Sequence, residues 1–383
     1  MITVKDKTLL LLSSIGAAAF VFLNLIKHKP NRILPGEPYS SFDIFGNIGI
    51  TLFLVWGVFI VISFVELKHK NQIIFILTTG LLISLFWLLL SNVEALIDGE
   101  SSARISFSAG FYVQIFCIYM LYSTYTERIK DHTYIKWIGL LSIVGVFYYF
   151  TNTDAFSHLS LVKEYAIKKE QFYDHLRIHA LLTFASVITG AIIAIPLGIL
   201  AYSRKKLEDK IMVPLSIIET IPTFALFGVL LVPLAGLGNL PFFEQIGVSG
   251  IGWAPAYVAL TLYTLLPIGR NTLTGFHSVD RNVIEAAAGM GMSNRQILQK
   301  IELPLAFPVI FTGIRIAFIQ TIGGAVLAGL VGGGGLGTFV FLGLGEASPD
   351  LILLGVLPIV FFTILLDYIL RTIEKIIGGM IYD

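Results

Sequence analysis

The chain alternates apolar runs of about 20 residues with short loops that collect its charges, and this pattern leaves few folds open. A helix of that length crosses the hydrocarbon core of a bilayer. In lipid, only helices and closed barrels satisfy their own backbone groups. Ten runs qualify: 8–26, 44–65, 72–91, 105–126 and 135–151, then 178–202, 211–236, 253–275, 307–331 and 351–370. The 383 residues are 56% hydrophobic and 13% charged, about half the charge of a soluble domain, and mean hydropathy is +0.83. The expected class is an all-α polytopic membrane protein with about ten transmembrane helices. Lys5 and Lys7 before the first run imitate a signal peptide, but the run is too long and no small-x-small site follows, so it reads as a retained span. A net charge of +1 gives no reason to expect nucleic acid. The single cysteine, Cys117, makes no internal disulfide.

Loop charges orient the spans. With Arg204, Lys205, Lys206 and Lys210 placed inside, Arg270, Arg281, Arg295, Lys300, Arg371 and Lys375 also fall inside. The opposite loops, 237–252 and 332–350, contain no Lys or Arg. Carried backwards, the alternation puts Lys68, Lys70, Arg128, Lys130 and Lys136 inside and Glu94, Asp98 and Glu100 outside, with both termini cytoplasmic. Lys27, Lys29, Arg32 and the basic stretch 163–177 break the rule. In and just before that stretch Leu159, Val162, Ala166, Phe172 and Leu176 share a side at helical spacing, so 157–177 reads as an amphipathic linker helix lying at the outer surface. The linker divides an accessory half, 1–156, from a core, 178–383. No repeat relates the halves, which gives an inverted-repeat secondary transporter little support.

The longest inner loop, 277–307, reads HSVDRNVIEAAAGMGMSNRQILQKIELPLAF. Asp280 can cap a short helix that Gly289 and Gly291 break. Ser293 and Gln296 stand at capping-box spacing and open a second helix, which Pro304 is expected to stop. From these residues alone, a loop packed on the span ends and a docking loop both stay open. The register Glu285-Ala286-Ala287, Gly289, Gly291, Ile301 and Leu303-Pro304 then resembles the EAA loop of ATP-binding cassette (ABC) importer permeases. The resemblance implies that these residues dock in a cleft of an ATPase subunit and couple its closure to the spans.

The likeness extends through IPLGIL at 195–200, IETIPTFALFG at 218–228, LLPIGRNTLTG at 265–275, and LAGLVGGGGLGTFVFLGL at 327–344. Together they resemble the permeases for glycine betaine, choline, carnitine and related osmoprotectants, over about 190 residues. The first half is similar to the extra spans of the longer members in hydropathy and position. The resemblance implies a type I, methionine-permease-like core of five helices. It also implies partner ABC ATPases, an extracytoplasmic binding protein, and a second permease copy or a shorter paralogous permease, in a bacterial or archaeal plasma membrane. Glu219 stands where the subfamily has glutamine. Glu219 and Arg315 each lie eight residues into a span from its inner end, which predicts an ion pair beside the translocation path, with Thr220, Pro222 and Gln320 on the same path.

Nothing in the sequence offers catalysis. The glycine run 332–335 is no phosphate loop, because the chain has no Gly-Lys pair; it reads as a tight turn at a span end. ATP therefore falls to the partner subunit, and no cofactor is expected on this chain. His175 and His179 lack a third metal ligand and read as interfacial polar residues. The competing readings are an ABC permease for an amino acid or other small solute and, from a different class, a secondary transporter or channel.

Overall fold

The structure, a computed structural model, describes residues 4–32, 34–97, 102–129 and 133–382. Asp98, Glu100 and Lys130, used in the loop-charge reading, and the side chain of Glu94 lie outside the described residues. The chain divides into two compact units, Met1–Ile167 and Lys168–Asp383.

In the first unit, Asp6 caps α1 (Lys7–Phe22) by accepting the Leu9 N–H at 3.0 Å. The chain then turns extended. β1 (Asn24–Lys29) pairs antiparallel with β2 (Glu37–Ser40) and with β3 (Arg104–Phe107), in the order β2-β1-β3. This small sheet corrects the all-helical reading locally. Hydropathy runs on without a break through Leu25, Ile26 and Ile105, which are buried apolar residues in strands. A Ser40–Asp43 capping box opens α2 (Ser41–Ile62). After it come α3 (Lys70–Ile97), α4 (Ala109–Arg128), α5 (Thr133–Thr151), a 3₁₀ turn and α6 (Ser160–Ile167). One apolar core joins them around Phe20, Trp56, Phe59, Phe75 and Tyr125. The Trp56 indole fills the notch at Gly16, where a Cβ would lie 2.3 Å from the ring.

Two ionic clusters tie this unit together. Asp6 accepts from the Tyr125 hydroxyl at 2.7 Å and from Arg128 at 2.6 Å. Burial pushes its carboxyl up, but the Leu9 N–H, Tyr125 and Arg128 outweigh burial and hold it below the ordinary aspartate value. Glu164, 1% exposed, accepts from Arg32 at 2.8 Å and Arg104 at 2.9 Å. Arg32 was one of the residues that broke the loop-charge rule. Its charge is matched by a buried carboxylate, so it does not count as free loop charge.

Segment 157–177 is not a single surface helix. Leu159 and Glu164 are buried, α6 ends at Ile167, and residues from Lys169 onward are the first turns of α7 (Lys169–Ser203). The spacing that suggested one amphipathic helix spans two elements broken at Lys168, whose φ/ψ is non-helical.

In the second unit, α7 leads to α8 (Lys205–Thr220), α9 (Thr223–Gly238), α10 (Pro241–Gln245) and α11 (Trp253–His277). The loop helices α12 (Arg281–Gly289) and α13 (Asn294–Ile297) and a π-helical turn, Leu298–Glu302, feed α14 (Leu303–Gly324). A 3₁₀ segment, α15 (Gly337–Gly345) and α16 (Pro349–Tyr382) complete it. α11 packs between α7 and α14. Gly190 makes the α7 approach possible, because a Cβ there would lie 1.7 Å from Thr264 Oγ1.

Among the described residues six helices are long and apolar enough to cross a membrane, and seven if α8 and α9, bent by 105°, form one broken span. α1, α4 and α11 bring the apolar runs found as helices to ten. α1 has only 16 residues. α11 carries Arg270, Asn271 and several threonines, and most of its residues are buried by protein. A helix sheathed by its neighbours needs less hydropathy than one facing lipid.

Candidate coupling loop and membrane cavity

The loop 277–307 folds as two short helices set by local chemistry. Asp280 accepts the Asn282 N–H at 2.8 Å and starts α12. Gly291, at φ 84°, lets the chain reverse. Ser293 and Gln296 exchange capping-box bonds and start α13. Glu285, Ala286, Gly289 and Gly291 are exposed. Glu285 pairs with Arg281 one turn away at 3.0 Å. Ala287 differs from the rest. It is 1% exposed, and its carbonyl accepts the Met292 N–H, so it packs the loop from within. Ile301 is half-buried, and Leu303 packs with Phe276, Ala306 and Ile310.

Pro304 does not stop the second helix. It lies in the continuous helical run from α13 into α14, directly after the π-helical turn, whose extra residue makes room for the proline ring. The π-helical turn just before it carries the chain from α13 into the span. This turn also brings inward a residue that sequence reasoning missed. Glu302, 7% exposed, accepts a 2.6 Å hydrogen bond from the Tyr202 hydroxyl near the end of α7. The Tyr202 ring stacks on Phe276 with centroids 5.1 Å apart. The one available signal was an acidic residue between Ile301 and Leu303, on an otherwise apolar flank.

A cavity of about 350 Å³ lies at the break between α8 and α9. Glu219, Thr220, Pro222 and Gln320, four of the five path residues expected from sequence, line it together with Tyr263 and Thr321. Pro222 makes the break: it has no N–H for the Ile218 carbonyl, which the Ile221 N–H takes instead at 3.2 Å. The Tyr263 hydroxyl donates to the Ile221 carbonyl and holds the broken segment to α11.

Arg315, the fifth residue, does not line this cavity, and the predicted Glu219–Arg315 pair is not formed. Arg315 bonds Asp367 at 3.3 Å and Glu374 at 3.2 Å, both on α16. Asp367 also pairs with Arg371 at 2.7 Å, and Glu374 accepts from Thr312 at 2.5 Å. Matching depth in two spans said nothing about which way each side chain faces. Asp367 and Glu374 stand seven positions apart, about two helical turns, so both acids share the face of α16 toward α14.

At the far end of α14 the run 332–335 forms a tight turn, with Gly332, Gly334 and Gly335 at φ 73°, 74° and 81°. It borders a second cavity, of about 880 Å³, lined by His175, Trp253 and Tyr257. His179 is fully buried beneath Gly335 and so is not the interfacial polar residue expected, while His175 is half-buried, faces the cavity and packs edge-on against Phe339.

Two family models match. "ABC transporter permease YehY, N-terminal domain" covers residues 5–162, and "Binding-protein-dependent transport system inner membrane component" covers 183–378. The choline transport system permease OpuBB of Bacillus subtilis is 39% identical over 203 residues, 53% of this chain and 85% of that one. The glycine betaine/carnitine/choline permease OpuCB of the same organism is 37% identical, over 51% of this chain and 84% of its own. The osmoprotectant import permease OsmW of Salmonella typhimurium is 37% identical, over 54% and 89%. A solved structure of the MetNI methionine ABC transporter aligns with a TM-score of 0.48 at 24% identity, over 55% of this chain and 97% of that one.

Proposed function

The chain belongs to the binding-protein-dependent transport system inner membrane components and is the transmembrane subunit of an ABC importer, and from that premise we propose that it carries small quaternary-ammonium osmoprotectants of the choline and glycine betaine class. In this reading the cargo arrives on a separate extracytoplasmic binding protein, and a separate ATPase subunit hydrolyses ATP. The exposed row Glu285, Ala286, Gly289 and Gly291 meets that ATPase, at a loop tied to α7 and running directly into α14. The observation that carries the substrate class is the identity of 36–39% to permeases named for choline, carnitine and osmoprotectants.

The termini and the coupling loop share the cytoplasmic side in this reading. A second copy or a shorter permease completes the pathway, and Glu219, Thr220, Pro222 and Gln320 line it. The first unit is accessory, serving assembly or regulation. The test is reconstitution of the chain with its ATPase and binding protein in vesicles. ATP-dependent uptake of labelled choline or glycine betaine is expected. Uptake of an amino acid in preference to both would refute the substrate class and leave the importer assignment standing.

A further inference from the structure

We propose that the cavity at the α8–α9 break is a binding site for a small organic cation, with Glu219 as its counter-ion and Tyr263 and Gln320 as its other contacts. The proposal rests on the import reading above and names where within the membrane the cargo's positive head is held.

Charge balance is the first support. Among the described residues Glu219 is the only formally charged one lining the cavity, and it is exposed within the chain. Among the described residues it has no ion pair, because Arg315, the cation at similar depth, is taken by Asp367 and Glu374. A carboxylate within a span is costly unless a positive charge meets it. No side chain here meets it, which leaves that role to a mobile cation.

Backbone electrostatics add to this. The cavity lies between the C-terminal end of α8 and the N-terminal end of α9, so the two helix dipoles offset each other there, but the last carbonyls of α8 lack helical donors and remain free to face a cation. Pro222 enforces that ending, and among the described residues no backbone hydrogen bond reaches the carbonyls of Glu219 or Thr220.

Size and wall chemistry select among cations. About 350 Å³ falls at the small end of ligand sites, which span roughly 300–1,000 Å³. Ile221 and Leu260 supply apolar wall beside the Tyr263 ring, whose hydroxyl is anchored to Ile221. Divalent metals are held mainly by clustered carboxylates or His and Cys, and among the described residues no group of three such side chains forms, Glu219 being a single carboxylate beside neutral hydroxyl and amide groups. A methylated ammonium asks for one carboxylate, an aromatic ring and apolar contact, which matches this lining.

The test is equilibrium binding of labelled choline to the full-length permease with its ATPase in lipid nanodiscs, without binding protein. Saturable binding is expected, weakened at least about tenfold by Glu219→Gln, the loss for one charge-assisted contact. A neutral carbon isostere of choline, 3,3-dimethylbutan-1-ol, should fail to displace it. No saturable binding, equal affinity in Glu219→Gln, or displacement by the isostere at equal concentration would each overturn the site. The isostere arm uses unaltered protein, so it decides even if the variant assembles poorly. Ligand binding by the isolated binding protein separates the two readings. If that protein binds choline or glycine betaine while the nanodisc arm fails, the cavity site falls alone. If it binds neither, the substrate reading falls, while Glu219-dependent choline binding would still establish the site.

Discussion

Replacing Tyr202 by Phe removes one hydroxyl and should loosen the coupling loop from the membrane core. The bond lost is 2.6 Å long and ends on a carboxyl group only 7% exposed. A hydrogen bond to a charged acceptor contributes about 1.5–3 kcal/mol, and losing the donor leaves the buried acceptor short of a partner. At about 1.4 kcal/mol per factor of ten, the ratio of docked to released loop should fall roughly 10- to 150-fold. The Phe ring keeps the stack on Phe276, so the span ends should stay packed. Glu302→Gln should cost less, since its amide oxygen still accepts from Tyr202. The assay is the ratio of substrate transported to ATP hydrolysed in reconstituted vesicles, with hydrogen exchange of 281–302 as a structural check. Tyr202→Phe should lower the ratio and raise exchange in the loop. Unchanged exchange and an unchanged ratio would show that the bond does not hold the loop.

Ala287→Asp should unfold the loop from within by at least about 3 kcal/mol, because the carboxylate would replace a side chain 1% exposed, and loop hydrogen exchange should report it even without the ATPase. Gly291→Ala should cost about 1–2 kcal/mol of backbone strain alone, since a Cβ there meets open space, and should leave ATPase binding weakened rather than abolished in a pull-down titration. Arg315→Gln should destabilise the α14–α16 contact by about 1–2 kcal/mol, since Asp367 keeps Arg371 and Glu374 keeps Thr312 while both lose their shared cation, and its effect on thermal unfolding should add to that of Glu219→Gln, since the two residues do not pair; a coupling energy above about 0.5 kcal/mol would contradict the geometry. Because the Asp6 carboxyl is held below its unfolded value, its contribution to the first unit is present above about pH 4 and is lost as pH falls through the depressed value; acid unfolding should lose that component in Asp6→Asn. A chain beginning at Lys168 should still insert and bind its ATPase, measured by co-purification, if the second unit holds the whole core.

The elements of this fold that depend on local chemistry were legible in the residues. Most of the span-length apolar runs, Asp280 as a cap, the Ser293–Gln296 box and the glycine turn at 332–335 follow from interactions a few residues apart, and the caps and the turn stand where the spacing puts them. Pro222 in an apolar run could be read as a weak point, and the cavity residues Glu219, Thr220 and Gln320 could be grouped by depth. Depth is one coordinate, however, and a pairing needs the rotation of each helix as well. That rotation is set by packing across the unit, which is why Arg315 meets α16 and Glu219, among the described residues, has no ion pair. The same limit hid the sheet, whose strands come from β1, β2 and a β3 that lies about 75 residues further on, and the Tyr202–Glu302 bond, whose ends lie 100 residues apart. Hydropathy sets which segments enter lipid because transfer energy adds residue by residue. Which polar side chains meet inside the bundle is decided only when the helices pack, because hydrogen bonds and ion pairs need both distance and direction.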